Sequence, residues 1–179
     1  MTFPENICSN EPNLYLVGFM GTGKSTVGRR VAEKLGFRFI DVDQAIEKQE
    51  GLTVTQIFAL KGEGFFRELE REFIENGHPC SNCVVSCGGG LSLPDGMPEL
   101  LQKKGVAVCL WASPEVIYER TKGNSKRPLL NVDDPLSKIR KLLAQREPRY
   151  RAVGNLVSTV DRGHSASAEA VIRVYKSKS

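Results

Sequence analysis

Eight consecutive residues carry the densest chemistry in the chain: Gly18-Phe19-Met20-Gly21-Thr22-Gly23-Lys24-Ser25. They fit G-x-x-x-x-G-K-[S/T], and the residue types suit a polyphosphate. Glycines let backbone N–H groups turn inward on an anion, Lys24 brings a mobile charge to the β- and γ-phosphates, and the Ser25 hydroxyl can ligate Mg²⁺. The flanks supply the context the pattern needs. Leu14-Tyr15-Leu16-Val17 is a short apolar run that reads as a buried strand. Beyond the loop, Val27, Val31, Ala32 and Leu35 fall on one helical face, and Gly36 stops that helix with a left-handed cap. The glycines therefore occupy a strand-to-helix turn, where the positive end of the helix strengthens the anion site. A chance glycine-rich turn is the plain alternative, and the order strand, loop, helix weighs against it.

Further chemistry-bearing residues follow in order. Asp41 and Asp43 lie at the carboxyl end of a second strand, Arg38 to Asp41, where open α/β sheets bind ligands. If that strand continued, alternation would put both carboxylates on one side, one toward Mg²⁺ and one toward a phosphoryl acceptor. Asp43 also reads as the N-cap of a helix from Gln44, and the two roles are compatible. Arg67 lies off the apolar stripe Phe66, Leu69, Phe73 and Ile74, with Glu70 three residues on. Alone, it reads equally as a solvated helix arginine beside a carboxylate. Gly88-Gly89-Gly90 ends the apolar run from Cys83 to Cys87. Three absent side chains let a ligand approach the backbone there, or simply make a turn. The segment from Lys122 to Asp134 is basic, broken by glycine and proline, and too long for a simple connection. Over a phosphate site it reads as a lid that brings Arg127 onto the transferring phosphoryl, with a disordered surface loop as the alternative.

His78, Cys80, Cys83 and Cys87 are metal-ligand types in a short span. Cys80 and Cys83 have ligand spacing, but a structural zinc site usually pairs two such knuckles over a longer run, and alternation turns Cys87 into the core. Ordinary thiols are the default reading. Five cysteines, an odd number without an export signal, argue for reduced thiols.

Elements that position these residues are legible between them. Gly51 breaks the helix that begins at Gln44, and Thr53-Val54-Thr55-Gln56 forms a capping box for the next. Gly62-Glu63-Gly64 gives another break before a helix from Phe65 to Ile74. Leu91 to Asp95 loops out, Met97 to Lys104 reads as a helix, and Val106 to Trp111 as a strand buried on both faces. Ser113-Pro114 opens a helix bearing Val116, Ile117 and Arg120. Another runs from Asp134 or Pro135 through Arg146, ahead of Pro148-Arg149-Tyr150. A fifth strand spans Leu156 to Val160, and a closing helix Ala166 to Tyr175. Strands alternating with helices, without repeats, predict one three-layer α/β domain around a parallel sheet.

The 179 residues suffice for one such domain with a proper core. A hydrophobic fraction of 40% and a charged fraction of 26% are ordinary for a globular protein. A net charge of +4 suits anionic ligands and is too weak to argue for nucleic acid or membrane. No apolar stretch approaches the ~20 residues that span a bilayer. Met1 to Pro12 is polar and lacks a signal-peptide pattern, which predicts a cytoplasmic protein.

Taken together, GFMGTGKSTVGRRVAEKLG, FIDVD, GEGFFRELE, CGGG, RPLL and REPRY, in this order and spacing, resemble the shikimate kinases over roughly Asn13 to Val171. The resemblance implies the P-loop NTPase fold of nucleoside-monophosphate-kinase type, with five parallel strands ordered 2-3-1-4-5. It implies transfer of the ATP γ-phosphoryl to the 3-hydroxyl of shikimate, with Mg²⁺. Gly21, Thr22, Gly23, Lys24, Ser25 and Thr26 would bind nucleotide, with Arg120 and Arg162 near adenine and Arg127 on the γ-phosphoryl. Ser25 and Asp41 would hold Mg²⁺. Within the acceptor-binding segment 42–76, Asp43 would orient or deprotonate the attacking hydroxyl. Arg67 and Arg146 would clamp the carboxylate, Glu70 would brace Arg67, and Gly88, Gly89 and Gly90 would line the pocket. Residues 120–135 would form the lid, and family habit implies a monomer. Two features depart from the family pattern: the His78–Cys83 cluster, and Arg149, which stands where an apolar residue is common and competes with Arg146 for the clamp. A gluconate-type kinase on the same fold is the near rival. A catalytically silent nucleotide-binding module is the distant one, and Lys24, Asp43 and Arg127 are all retained against it.

Overall fold

The computed structural model describes residues 11–122, 132–160 and 162–179. Among these, five strands and seven helices follow in the order β1 (Asn13–Val17), α1 (Lys24–Leu35), β2 (Arg38–Asp41), α2 (Val42–Glu50), α3 (Val54–Asn76), β3 (Cys83–Ser86), α4 (Met97–Lys104), β4 (Gly105–Trp111), α5 (Pro114–Thr121), α6 (Pro135–Ala152), β5 (Asn155–Ser158) and α7 (His164–Lys176). Every strand pairs in parallel, and the sheet order is β2-β3-β1-β4-β5, as the sequence resemblance implies. Apolar β1 takes the centre because both of its faces are covered, and all five of its residues are buried. On one face Leu14, Leu16, Val84 and Val108 pack against Val27, Val31 and Val171 of α1 and α7. On the other, Tyr15, Val17, Val85 and Cys109 meet Ile46, Phe66, Phe73, Ile117 and Tyr150. Each such buried aliphatic side chain contributes roughly 1.5–3 kcal/mol. Helix–sheet–helix is the resulting three-layer arrangement.

Local signals behave as their chemistry demands. Gly36 and Gly51 end α1 and α2 in the left-handed conformation. Thr53 and Gln56 close a reciprocal capping box, and Ser113 caps α5 through the Val116 amide. In three places the structure corrects the expectation. First, β2 stops at Asp41, whose carboxylate accepts from the Gln44 amide and caps α2 itself. Asp43 therefore sits in the first helical turn, and helical rather than strand geometry relates it to Asp41. Second, α6 runs on through Pro148 to Ala152. Proline there costs roughly 3 kcal/mol, because it cannot donate to the carbonyl four residues back. Buried Tyr150, whose hydroxyl donates to the Gly89 carbonyl at 2.6 Å, ties the extra turn down. Third, the loop after the triple glycine turns inward, with Leu91 and Ser92 both buried.

Candidate active site

The loop between β1 and α1 is shaped before any phosphate arrives. Thr22 is buried and donates from its amide (3.3 Å) and its hydroxyl (2.8 Å) to the Phe19 carbonyl. Lys24 Nζ donates to the carbonyls of Gly18 (2.7 Å) and Phe19 (2.9 Å), folding the ammonium over the loop. A side chain at Gly21 would strike Thr121, and its φ of 78° favours glycine in any case. Gly23 caps α1 without any side-chain acceptor, so the first helical amides face the loop's concavity. Ser25 and Thr26 are exposed at its mouth.

A corner of hard oxygens adjoins the loop. Ser25 Oγ donates to Asp41 Oδ2 at 3.0 Å and lies 3.5 Å from Ser86 Oγ. Hydroxyl and carboxylate oxygens are the donor set that suits Mg²⁺, and here α1, β2 and β3 bring them together. Ser86 has no place in the sequence argument. The signal for it was a lone hydroxyl closing an apolar strand.

Deeper in, a charged cluster assembles under the triple glycine. Arg67 Nη1 donates to Glu70 Oε2 at 2.6 Å, and Glu70 is 1% exposed. On its other edge, Nη2 and Nε donate to Glu63 Oε1 at 2.6 and 3.2 Å. The glycines are spacers here: a Cβ on Gly88 would stand 2.6 Å from Asp43 Oδ1 and 2.7 Å from Glu70 Oε1, and one on Gly90 would lie 2.6 Å from Arg67 Cζ. Those two carboxylate oxygens are buried and have no hydrogen-bond partner among the described residues. Burial raises Asp43 to about 6, with Asp41 adding to the shift and Lys24 and Arg67 opposing it. Burial likewise raises Glu70 to about 7 against the pull of Arg67. The site thus presents acceptors that lack donors, beside donors that carry charge.

Arg146 comes from α6 with its guanidinium 5.6 Å above the Phe19 ring. It also hydrogen-bonds Tyr150, whose phenol burial pushes up to about 12. Arg149 points elsewhere and pairs with Asp95 at the surface. The geometry therefore brings Arg146, rather than Arg149, to the loop and the glycines. On the opposite flank Arg120 donates to the Gly21 carbonyl (3.4 Å), to Thr159 Oγ1 (3.0 Å) and to the Thr159 carbonyl (2.8 Å). Arg162 is exposed in the loop before α7. Arg127 lies outside the described residues, as does most of the expected lid.

No group of three or more potential metal ligands occurs among the described residues, and the cysteine region separates into unrelated parts. His78 packs between Tyr15 and Phe73, within 3.3 Å of the Tyr15 hydroxyl. Cys83, Cys87 and Cys109 are buried free thiols, and burial raises all three. Cys80 is disulfide-bonded, which corrects the expectation of uniformly reduced thiols. Spacing within the cluster could not reveal that pairing.

Known proteins share this architecture. The family described as shikimate kinase matches residues 20–176. A shikimate kinase of Thermodesulfovibrio yellowstonii is 43% identical over 164 residues, spanning 92% of this chain and 95% of the relative. One from Persephonella marina is 45% identical over 147 residues, 82% of this chain and 88% of the relative. Shikimate kinase from Acinetobacter baumannii in complex with shikimate superposes with a TM-score of 0.84 at 36% identity, over 94% of each chain. A gluconokinase from Sinorhizobium meliloti, at 21% identity and a TM-score of 0.57 over 93% of this chain, shares the fold alone.

Proposed function

The chain belongs to the shikimate kinase family, and from that premise we propose how its residues carry the ATP γ-phosphoryl to the 3-hydroxyl of shikimate. The observation that carries the proposal is the pair of buried, unpartnered oxygens, Asp43 Oδ1 and Glu70 Oε1, flanking Gly88 beside the phosphate loop. A buried acceptor without a donor costs about 1–3 kcal/mol. A polyhydroxylated ring supplies such donors. Asp43 then receives the hydroxyl hydrogen bond, aligns the nucleophile and takes its proton as the new O–P bond forms and the bond from the γ-phosphorus to the bridging oxygen breaks, releasing ADP. Arg67 and Arg146 bind the acceptor's carboxylate, Glu70 holds Arg67 in place, and Gly88 to Gly90 leave the ring room to lie on backbone.

On the donor side, residues 21–26 wrap the phosphates and Lys24 moves from its loop carbonyls onto the β- and γ-oxygens. Ser25 and Asp41 would hold Mg²⁺, which would supply positive charge against the phosphates. Arg120, Arg162 and the 120–135 lid complete the nucleotide side, with Arg127 offsetting charge on the transferring group. Positioning and electrostatics are the protein's main contribution to such a transfer. The protein acts as a cytoplasmic monomer on two small molecules. Among the described residues no helix is long and apolar enough to cross a membrane.

A coupled ADP-release assay with Mg-ATP tests this, comparing shikimate, gluconate and no acceptor, with Asp43→Asn as control. Turnover should require shikimate and fall by about 10²–10⁴-fold in the variant, the usual worth of a positioned base. Equal turnover with gluconate, or an active Asp43→Asn enzyme, would overturn the assignment.

A further inference from the structure

Glu63 has no part in the scheme above, yet it occupies the side of Arg67 that a substrate would want. Both Nε and Nη2 of Arg67 donate to it, at 3.2 and 2.6 Å. Those two donors form one edge of the guanidinium fork, the geometry that matches a carboxylate with two parallel bonds. Glu63 presents only its Oε1 to that edge, so the contact is a shared single acceptor. A carboxylate using both oxygens makes the better partner.

The two carboxylates on Arg67 differ in how firmly each is held. Glu70 is 1% exposed and fixed in the core layer, whereas the Glu63 side chain is 65% exposed. Glu63 also lies between two glycines, Gly62 and Gly64. Gly62 interrupts the helix at φ 85° and ψ 164°, a conformation that disfavours any other residue. A Cβ at Gly62 or Gly64 would meet nothing within 4 Å. Upstream, the first half of α3 is anchored to α2 by Glu47 on the Val54 amide (2.9 Å) and by Lys61 on Glu50 (3.0 Å). Downstream, the second half is anchored by Phe66, Leu69 and Phe73 in the core. Glu63 thus sits at the open joint between two fixed segments, free to leave without unpacking either.

We infer that Glu63 is an internal competitor for the acceptor's carboxylate, holding the Arg67 fork in the free enzyme and yielding it when acceptor binds. This rests on Arg67 being a carboxylate-binding residue. The device keeps the guanidinium aimed before substrate arrives and makes every entering anion displace a bound carboxylate. Small inorganic anions, which can engage the Arg67 fork but bring no hydroxyl for Asp43, are disfavoured by that displacement, whereas a ligand that also satisfies Asp43 and Arg146 is not.

The test compares shikimate KM, ATP KM and inhibition by sulfate in the wild type, Glu63→Gln, Glu63→Asp and Arg67→Lys. Glu63→Gln removes the charge, while Glu63→Asp keeps it on a stem one methylene shorter that loses the contact. Both should lower shikimate KM by about two- to fivefold, the range expected for an exposed ion pair. Both should also strengthen sulfate inhibition competitive with shikimate and leave ATP KM unmoved. A rise in shikimate KM would make Glu63 a brace and overturn the inference, as would no change in either variant. A fall in Glu63→Gln with Glu63→Asp at the wild-type value would reduce the effect to a general field, which also overturns it. Arg67→Lys should raise shikimate KM about tenfold through loss of the fork. An unchanged value there would refute the Arg67 assignment itself, separately from the role of Glu63.

Discussion

Glu70→Gln should make the protein less sensitive to alkaline pH while weakening its grip on the acceptor. Burial lifts Glu70 from 4.5 to about 7 in the folded protein, so folding favours its protonated form. Stability from that form is complete below pH 4.5 and is lost as pH rises through about 7. The full loss approaches roughly 3 kcal/mol, at 1.36 kcal/mol per tenfold change in proton affinity. A domain of this size has only about 5–15 kcal/mol in all, so the effect is large enough to measure. Glutamine keeps the shape and one acceptor for Arg67 Nη1, and it does not titrate. Asp43, which faces Glu70 across Gly88 and is itself raised to about 6, remains in both proteins and largely cancels in the comparison. Urea midpoints should be measured at intervals from pH 5 to 8, without ligands. The stability difference between variant and wild type should move in favour of the variant by roughly 2.5 kcal/mol across that range, or about 1–2.5 M urea at ordinary m-values. A difference constant within about 0.5 kcal/mol, well under that expected shift, would refute the reasoning, as would one that favours the wild type at high pH. Shikimate KM should rise in the same variant, because an amide holds the guanidinium less firmly than a carboxylate.

Three further perturbations separate the parts of the site. Gly90→Ala puts a Cβ 2.6 Å from Arg67 Cζ. Only a side-chain end must give way, so shikimate KM should rise about tenfold while ATP KM and the thermal midpoint stay close to wild type, as paired kinetics and melting curves would show. Arg120→Ala cuts three hydrogen bonds between α5, the phosphate loop and Thr159. Calorimetry should find ATP binding weakened by roughly tenfold, about 1.4 kcal/mol, with shikimate binding unmoved. His78 is held below its ordinary 6.5, first by burial and also by nearby Lys104. The stability it supports is present above pH 6.5 and is lost as pH falls through its folded value. His78→Gln should therefore flatten the acid side of the stability curve, which denaturant titrations between pH 7 and 5 would reveal.

Sequence carried the fold nearly whole because the strongest signals are local. Continuous apolar runs, a capping box at Thr53 and Gln56, and left-handed glycines at 36 and 51 each fix a boundary from within a few residues. Types and spacing alone singled out Lys24 and Ser25 in the loop and Asp43 beside it, whereas Arg67 read equally as a solvated helix arginine until the resemblance was added. Legibility failed where two signals competed for one position. Asp41 and Asp43 both suit an N-cap, and only the strand's actual end decides for Asp41. Pro148 reads as a helix stop, and the bond from Tyr150 to Gly89, 61 residues away, overrides it. Glu63 was within reach, since a carboxylate four residues before an arginine is a standard helix pair, but glycines on both sides disguised the helix. Thr159 and Ser86 have no local signature, because their partners, Arg120 and Ser25, lie on helices 39 and 61 residues away.

Thr159 also ties the phosphate loop to a segment near the far end of the chain. Its hydroxyl donates to the Thr22 carbonyl at 3.2 Å across 137 residues of chain, and Arg120 holds Gly21 from 99 residues away. The loop's residues therefore leave the ribosome long before the groups that shape them. A nascent chain that ends before Arg120 carries the complete motif and its local bonds to Phe19, but lacks the two long-range bonds that hold the Gly21 and Thr22 carbonyls. The motif is local in sequence, and part of its support is not.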